Sequence, residues 1–258
     1  MNIPRKRPSF PATLTPTSPA ATGGKVVAPR PQAVAVSLST PMGTGLDSAA
    51  VRASMVRKLQ AQGLSDPRVL EAFGRIERHG FVDSALVAQA YEDTSLPIGL
   101  GQTISKPSVV GRMMELLLEG QSGKLGRVLE IGTGCGYQAA LLSCVCSEVY
   151  SIERLRGLYD KARENLRPMR LPNIHTLLGD GMLGYAQGAP YAGIIAAAGG
   201  NDIPQPWLDQ LAEGGRIVAP AELSPGKQSL VVVERTATGF ERQVLEAVWF
   251  VPLKSGIH

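Results

Sequence analysis

One acidic residue and a cluster of glycines make up the stretch of this sequence best suited to binding a ligand. The segment Val128–Tyr137 reads VLEIGTGCGY, in which a short apolar run ends at Glu130 and leads into Gly132, Gly134 and Gly136. An apolar-periodic stretch follows, so the pattern predicts a strand, a glycine turn and a helix. Glycines allow the tight turn and bring a ligand close to bare backbone, and the helix start offers it unpaired N–H groups.

The spacing of the next acids indicates which ligand. Glu153 ends the following apolar strand, seventeen residues after Gly136, where a carboxylate can accept both hydroxyls of a ribose. A dinucleotide site would place a third glycine at Tyr137. The pattern therefore predicts a nucleoside-cofactor site and resembles the S-adenosylmethionine site of Rossmann-like (class I) methyltransferases. Asp180 ends a later strand and is a candidate for the adenine amino group, with a helix N-cap as its alternative role.

The elements that must position these residues alternate along the chain. Helices are predicted at 48–62 with Asp47 as N-cap, 66–78, 84–89, 107–118, 137–146, 155–167 and 206–212. Strands are predicted at 128–130, 149–152, 174–178, 193–198, 216–219, 229–235 and 240–253. This alternation predicts an α/β fold, namely a mostly parallel sheet with helices on both faces, antiparallel C-terminal strands at one edge and an N-terminal helical extension.

Composition divides the chain into a tail and a domain. Residues 1–46 hold eight prolines and five basic residues but no acid, so we predict a disordered tail. Residues 47–258 are predicted to form one domain, with a helical and loop part at 47–106 and the Rossmann-like core at 107–258. Without the tail, 21 basic residues face 22 acidic ones, which argues against a nucleic-acid partner.

Apolar runs and cysteines favour a cytoplasmic protein. No apolar run reaches the roughly 18 residues that a membrane span needs, so no membrane partner is expected. Cys135, Cys144 and Cys146 form no metal-binding pattern, and we expect them to stay reduced, with Cys144 and Cys146 on a helix.

A loop upstream of the central strand is the second unusual stretch. Leu96–Pro107 reads LPIGLGQTISKP and holds Gln102, Thr103 and Ser105 among apolar residues. Ser105 is either a functional hydroxyl or the N-cap of a helix that starts near Pro107.

Several motifs together are similar to the protein-L-isoaspartate O-methyltransferase family from about residue 49 to residue 253. The motifs are RHGFV at 78–82, YEDTSLPIG at 91–99, GQTISKP at 101–107, VLEIGTGCGYQAALL at 128–142, GDG at 179–181, GGRIVAP at 214–220 and VWFVPL at 248–253.

The resemblance implies methyl transfer from S-adenosylmethionine to the free α-carboxylate of L-isoaspartyl residues in damaged proteins. We expect a monomer without a metal. It implies that Ser105 orients the substrate carboxylate, with Thr103 beside the cofactor as the second catalytic residue. The implied cofactor-binding residues are Glu130, Gly132, Thr133, Gly134, Gly136, Glu153, Asp180 and Gly181. The implied substrate-binding residues are Ile104, Ser105, Phe250, Val251 and Pro252.

The implied chemistry needs no strong base, because a carboxylate with a pKa of about 4 is ionised at neutral pH. His79 and His175 are therefore expected to be structural. The sequence departs from the family pattern at Cys135, Lys106, Ser108 and the pair Gly199-Gly200. We hypothesise that Lys106 attracts the substrate carboxylate. Two alternatives stay open: a methyltransferase of another substrate class, and a relative that binds the cofactor without turnover.

Overall fold

The computed structural model describes residues 49–258, so the predicted tail at 1–46 and the predicted N-cap Asp47 lie outside the described residues. The helices are α1 Ala49–Ala61, α2 Pro67–Arg75, α3 Pro107–Leu118, α4 Tyr137–Val145, α5 Arg156–Leu166 and α6 Gln205–Gln210. The strands are β1 Leu96–Gly99, β2 Gln102–Ile104, β3 Leu125–Ile131, β4 Cys146–Glu153, β5 Ile174–Leu178, β6 Tyr191–Ala196, β7 Leu211–Ser224, β8 Lys227–Thr236 and β9 Gly239–Val248. Short 3₁₀ helices lie at Arg78–Phe81, Ser84–Gln89, Arg167–Met169, Gly181–Leu183 and Ala186–Gly188.

A seven-stranded sheet forms the centre of the fold, in the order β5-β4-β3-β6-β7-β8-β9. Strands β3 to β7 pair in parallel, and β8 and β9 add antiparallel strands at one edge. The order reverses at β3, whose neighbours are β4 on one side and β6 on the other. Loops that leave β3 and β6 therefore diverge, and an open α/β sheet binds its ligands in the resulting crevice at the carboxyl ends of its strands. This architecture confirms the predicted fold class.

Alternating side chains along the strands bury two hydrophobic layers, one on each face of the sheet. On the central strand, Val128 belongs to one layer, whereas Leu129 and Ile131 belong to the other. Buried residues of α1 to α5 contribute to the first layer, and Trp207 of α6 to the second. Because a strand turns successive side chains to opposite faces, both faces must be covered for these residues to leave water. None of the helices within residues 49–258 has the length and apolarity needed to span a membrane.

The segment predicted as a loop at 96–107 is instead a short hairpin, which corrects the sequence interpretation. Strands β1 and β2 pair antiparallel, with Leu96 opposite Ile104. Three successive residues with positive φ, Gly99, Leu100 and Gly101, make the turn. With four and three residues, the two strands are too short to show the alternation from which strands are predicted.

Several predicted boundaries also needed correction. Cys146 begins β4 rather than ending a helix, because its backbone is already extended at φ −117° and ψ 155°. The second helix ends at Arg75, before a 3₁₀ turn, and α6 ends at Gln210, where β7 begins. The last strand ends at Val248, and beyond it the backbone N–H of Phe250 donates to the side-chain oxygen of Gln228 rather than to a strand.

Candidate active site

The glycine turn joins β3 to α4 and lies across the end of β4. The φ angles of Gly132, Gly134 and Gly136 are 88°, 57° and 91°, a region that side chains with a Cβ rarely adopt. The N–H of Gly132 donates to the carbonyl of Ile152 at 2.9 Å. Gly136 stands at the N-cap of α4, and no side chain caps that helix. The turn thus exposes backbone at the place where the predicted ligand would lie.

Glu153 ends β4 and ties the turn to the start of the next segment. One carboxylate oxygen accepts the N–H of Gly134 at 2.9 Å, and the other accepts those of Arg154 and Leu155, each at 2.9 Å. Glu153 is buried but lines the cleft beside the turn. A carboxylate offers about four acceptor positions, so these bonds leave capacity for roughly one more donor.

A cleft of about 450 Å³ opens at the carboxyl ends of β3, β4 and β6, and we call it the strand-end cleft. Its walls are the glycine turn, the β1–β2 hairpin tip and the C-terminal segment. Its lining residues are Ile98, Leu100, Gly101, Gln102, Thr103, Ile131, Gly132, Gly134, Ile152, Glu153, Arg154, Leu155, Leu158, Gly181, Ala197, Ala198, Val251, Pro252, Leu253 and Lys254. Lys161 of α5 steadies the hairpin by donating to the carbonyl of Ile98 at 2.8 Å.

A second concavity, the adjoining groove, meets the strand-end cleft. The two share Thr103, Ala197, Val251 and Pro252. The adjoining groove measures about 720 Å³ and is further lined by Ser95, Ser105, Lys106, Val109, Ala247, Val248, Trp249 and Phe250. The two cavities are therefore adjacent, and these four residues form the wall that they share.

Ser105 lies in the adjoining groove, half-buried between β2 and α3. Its interpretation as a helix N-cap does not hold, because α3 begins at Pro107 and Lys106 occupies the cap position. Within residues 49–258 its hydroxyl makes no hydrogen bond. The hydroxyl is therefore available to a ligand.

Five of the residues predicted for the site line neither cavity. The side chain of Ile104 is buried in the core, and Gly136 forms the start of α4. Thr133 is buried, with its hydroxyl 2.6 Å from that of Ser151. The carboxylate of Asp180 accepts the N–H groups of Met182 and Gly256, at 2.9 and 2.7 Å, so the alternative capping geometry is present. Glu130 is the fifth.

Glu130 is fully buried beneath the glycine turn. Strand alternation directs it to the same face as Val128, away from the cleft that Ile131 lines. One of its oxygens accepts the hydroxyl of Ser151, and the other has no partner in the described part of the chain. Burial raises the pKa of this carboxyl to about 8, against the hydrogen bond from Ser151, which favours the ionised form.

His79 and His175 lie apart from both cavities. His79 contacts the hydroxyl of Tyr91 at 2.7 Å, and the ring of His175 stacks on that of Tyr150 with centroids 4.8 Å apart. Among residues 49–258, no three His, Cys, Asp or Glu side chains are grouped as metal ligands.

The sequence interpretation missed several residues that line the cavities or support them. Arg154 and Lys254 line the strand-end cleft, and Trp249 is 87% exposed at the adjoining groove. Asp93 accepts the N–H and the hydroxyl of Ser108, at 2.9 and 2.8 Å, beside the start of α3. Of these residues, only Arg154 could have been predicted from the sequence, because it directly follows the acid at a strand end.

These features define a Rossmann-like methyltransferase. The sheet is mostly parallel, a glycine turn and an acid lie at the ends of adjacent strands, and a cleft opens there at the switch point. Comparison with known proteins gives the family. Residues 50–258 match the family model described as "Protein-L-isoaspartate(D-aspartate) O-methyltransferase (PCMT)". The chain belongs to this family.

Individual relatives agree with the family match. The chain is 56% identical to the protein-L-isoaspartate O-methyltransferase of Methylibium petroleiphilum, over 98% of this chain and 97% of that protein. It is 54% identical to the Leptothrix cholodnii protein of the same name, over 98% and 96%. A solved protein-L-isoaspartate O-methyltransferase structure superposes with a TM-score of 0.72 at 29% identity, covering 80% of this chain and 67% of that chain.

Proposed function

We propose that this chain transfers a methyl group from S-adenosylmethionine to the free α-carboxylate of L-isoaspartyl residues in damaged proteins and peptides. The observation that carries the proposal is that the strand-end cleft and the adjoining groove share Thr103 in their walls, beside Ser105, whose hydroxyl has no hydrogen-bond partner among residues 49–258. Membership of the isoaspartate methyltransferase family supports the same activity.

The strand-end cleft holds the cofactor. Its fit to S-adenosylmethionine is supported by bare backbone at Gly132 and Gly134 and by the remaining acceptor capacity of Glu153, which suits a ribose hydroxyl. Gly181 forms another part of the wall. Bound there, the cofactor supplies an electrophilic methyl group on a sulfonium. The adenine contact predicted for Asp180 and the contacts predicted for Glu130, Thr133 and Gly136 remain predictions.

The adjoining groove holds the substrate. Ser105 donates its hydroxyl hydrogen to the isoaspartyl α-carboxylate and orients it, while Phe250, Val251 and Pro252 support the substrate backbone. Ile104 supports this wall from the core. Lys106 is exposed in the groove, and its charge attracts the carboxylate at low salt.

The reaction is a direct displacement. Bound S-adenosylmethionine would supply the methyl group, and Ser105 would hold the substrate carboxylate oxygen towards it. The carboxylate is already ionised at neutral pH, so no base is required and positioning supplies most of the rate. The next backbone amide nitrogen then attacks the ester carbonyl and expels methanol to give a succinimide, which water can hydrolyse to a normal aspartyl linkage.

Cytoplasmic location and a monomeric state also belong to this proposal. Three free cysteines, Cys135, Cys144 and Cys146, support a reducing compartment. Damaged proteins are the partners, with neither nucleic acid nor membrane involved.

Paired peptides that differ only in isoaspartyl or aspartyl linkage test the activity with methyl-labelled S-adenosylmethionine. We expect base-labile label on the isoaspartyl peptide alone. Label on other substrate classes but on neither peptide would contradict the proposal and favour a different methyltransferase. Cofactor binding without label on any substrate would instead indicate a binding protein without turnover.

A further inference from the structure

The C-terminal segment runs along both cavities after it leaves β9. Phe250 lines the adjoining groove, Val251 and Pro252 line both cavities, and Leu253 and Lys254 line the strand-end cleft. The backbone of Gly199, just beyond β6, holds this part by donating to the carbonyl of Val251 and accepting from Leu253, at 2.9 and 2.8 Å. The last residues then continue to the ends of β4 and β5.

Residues 255–258, which we call the terminal strap, are attached there by hydrogen bonds rather than by burial. Arg154 donates its guanidinium to the carbonyls of Gly256 at 3.0 Å and Ser255 at 3.4 Å. The carbonyl of Arg154 accepts the N–H of His258 at 2.8 Å, and the N–H of Arg156 donates to the carbonyl of His258 at 2.7 Å.

Asp180 adds a contact from the neighbouring strand end. Its carboxylate accepts the N–H of Gly256 at 2.7 Å. The strap itself is exposed, including Ile257 at 54%. These hydrogen bonds from two strand ends therefore hold four exposed residues that take no part in the hydrophobic core.

The attachment points surround the acid that we assign to the ribose. Arg154 directly follows Glu153 and lines the strand-end cleft, and Asp180 directly precedes Gly181, which also lines it. Leu100 lines the same cleft from the hairpin tip, with its side chain 62% exposed. The strap is therefore fastened to residues next to the ribose acid, at the edge of the strand-end cleft.

We propose that the terminal strap retains the nucleoside end of the bound cofactor, and that Arg154 is the positioning residue that keeps the strap in place. The inference rests on the proposed function, because it takes the ligand of the strand-end cleft to be an adenosyl cofactor. Arg154 acts through the strap and takes no part in the methyl transfer. The strap chiefly slows ligand release, since it adds an outer barrier without altering the glycine turn or Glu153.

Two substitutions in the full chain remove different attachments. Arg154→Gln removes both guanidinium bonds, and Gly256→Pro removes the N–H that Asp180 accepts and the backbone freedom that Gly256 uses at φ 79°. Arg57→Gln, at an exposed position on α1, is the matched control for loss of an arginine.

The test measures affinity and dissociation rate for S-adenosylhomocysteine and for 5′-methylthioadenosine, which carries the nucleoside end alone. We expect dissociation to be about tenfold faster for both probes in both variants, from the loss of one or two hydrogen bonds. We expect Arg57→Gln to change neither the affinity nor the dissociation rate of the two probes. In Arg154→Gln and Gly256→Pro, the KM for an isoaspartyl peptide at saturating cofactor should be unchanged.

Unchanged affinities and dissociation rates in the two variants would overturn the proposal. This holds even if the melting temperatures of the ligand-free variants fell, because the strap would then only stabilise the fold. That outcome leaves the proposed function intact as long as the wild-type chain binds both probes and methylates the isoaspartyl peptide. Failure of the wild-type chain to bind either probe would overturn both proposals.

Discussion

Ser105 and Glu153 lie in different cavities, which separates their proposed roles at the scale of single residues. We expect Ser105→Ala to lower kcat for an isoaspartyl peptide by about 10- to 100-fold, because a hydrogen bond to a charged group contributes about 1.5–3 kcal/mol. Cofactor affinity should stay unchanged. Glu153→Gln should weaken S-adenosylhomocysteine binding by a similar free energy, with little change in turnover at saturating cofactor. Calorimetric titration and initial rates measure the two effects.

Ser84→Ala is the control for Ser105, since Ser84 is an exposed hydroxyl on a short 3₁₀ helix outside both cavities. The reverse pattern, with Ser105→Ala losing cofactor affinity and Glu153→Gln losing only turnover, would mean that the two cavities have been assigned the wrong way round.

Glu130 makes stability depend on pH. The pKa of its carboxyl rises from an ordinary value of 4.5 to about 8 on folding, so between these values the folded chain keeps a proton that the unfolded chain has lost. The stabilisation that protonated Glu130 gives to the folded chain is fully present below pH 4.5. It is lost as pH rises towards 8, at up to about 1.4 kcal/mol per pH unit. We expect Glu130→Gln to gain stability relative to wild type as pH rises from 5 to 8, measured by urea unfolding.

The matched control is Glu164→Gln, at an exposed position on α5, whose stability difference from wild type should not change over the same pH range. A difference between Glu130→Gln and wild type that stays constant from pH 5 to 8 would show that Glu130 is ionised in the folded protein.

At the scale of elements, the start of α3 depends on a residue from another segment. Lys106 occupies the cap position without a side-chain cap, while Asp93 accepts the N–H and the hydroxyl of Ser108. An anion at a helix N-terminus is stabilising. The contact explains what Ser108, one of the departures from the family pattern, does in the structure. It also holds the chain in place two residues beyond Lys106 and three residues beyond Ser105.

We expect Asp93→Ala to lower the free energy of unfolding by about 1 kcal/mol and to lower kcat/KM for an isoaspartyl peptide, while cofactor affinity stays the same. Urea unfolding and steady-state kinetics measure the changes. Asp83→Ala removes a comparable cap, in which Asp83 accepts the N–H of Ala85 at 3.0 Å, away from the groove. If both variants lose the same catalytic efficiency, the Asp93 contact has no special role in positioning the groove.

At the scale of the whole molecule, the family match covers residues 50–258 and leaves the basic segment at 1–46 outside it. We predict that a variant starting at Asp47 keeps the melting temperature, cofactor affinity and peptide kinetics of the full chain. Differential scanning calorimetry and kinetics at two salt concentrations would measure this. A rise in KM for acidic peptides alone, at low salt only, would instead assign the tail an electrostatic role in substrate binding.

Local patterns determined much of this protein from the sequence alone. The alternation of elements predicted the fold class, and the run from Glu130 to Gly136 predicted the turn, because glycine spacing and strand-end position are local properties. Glu153 was placed beside the turn because parallel strands end at one edge of a sheet. The N-terminal helices and the antiparallel edge followed from the same periodicity.

Only the tertiary structure decided which residues face a cavity. Strand alternation and the packing of α4 bury Glu130, whereas Glu153 reaches the cleft from the end of β4. The Asp93–Ser108 contact and the strap held by Arg154 join residues that lie 15 and 102 positions apart in the sequence. Contacts over such distances depend on how the sheet and helices pack, and no local sequence pattern encodes them.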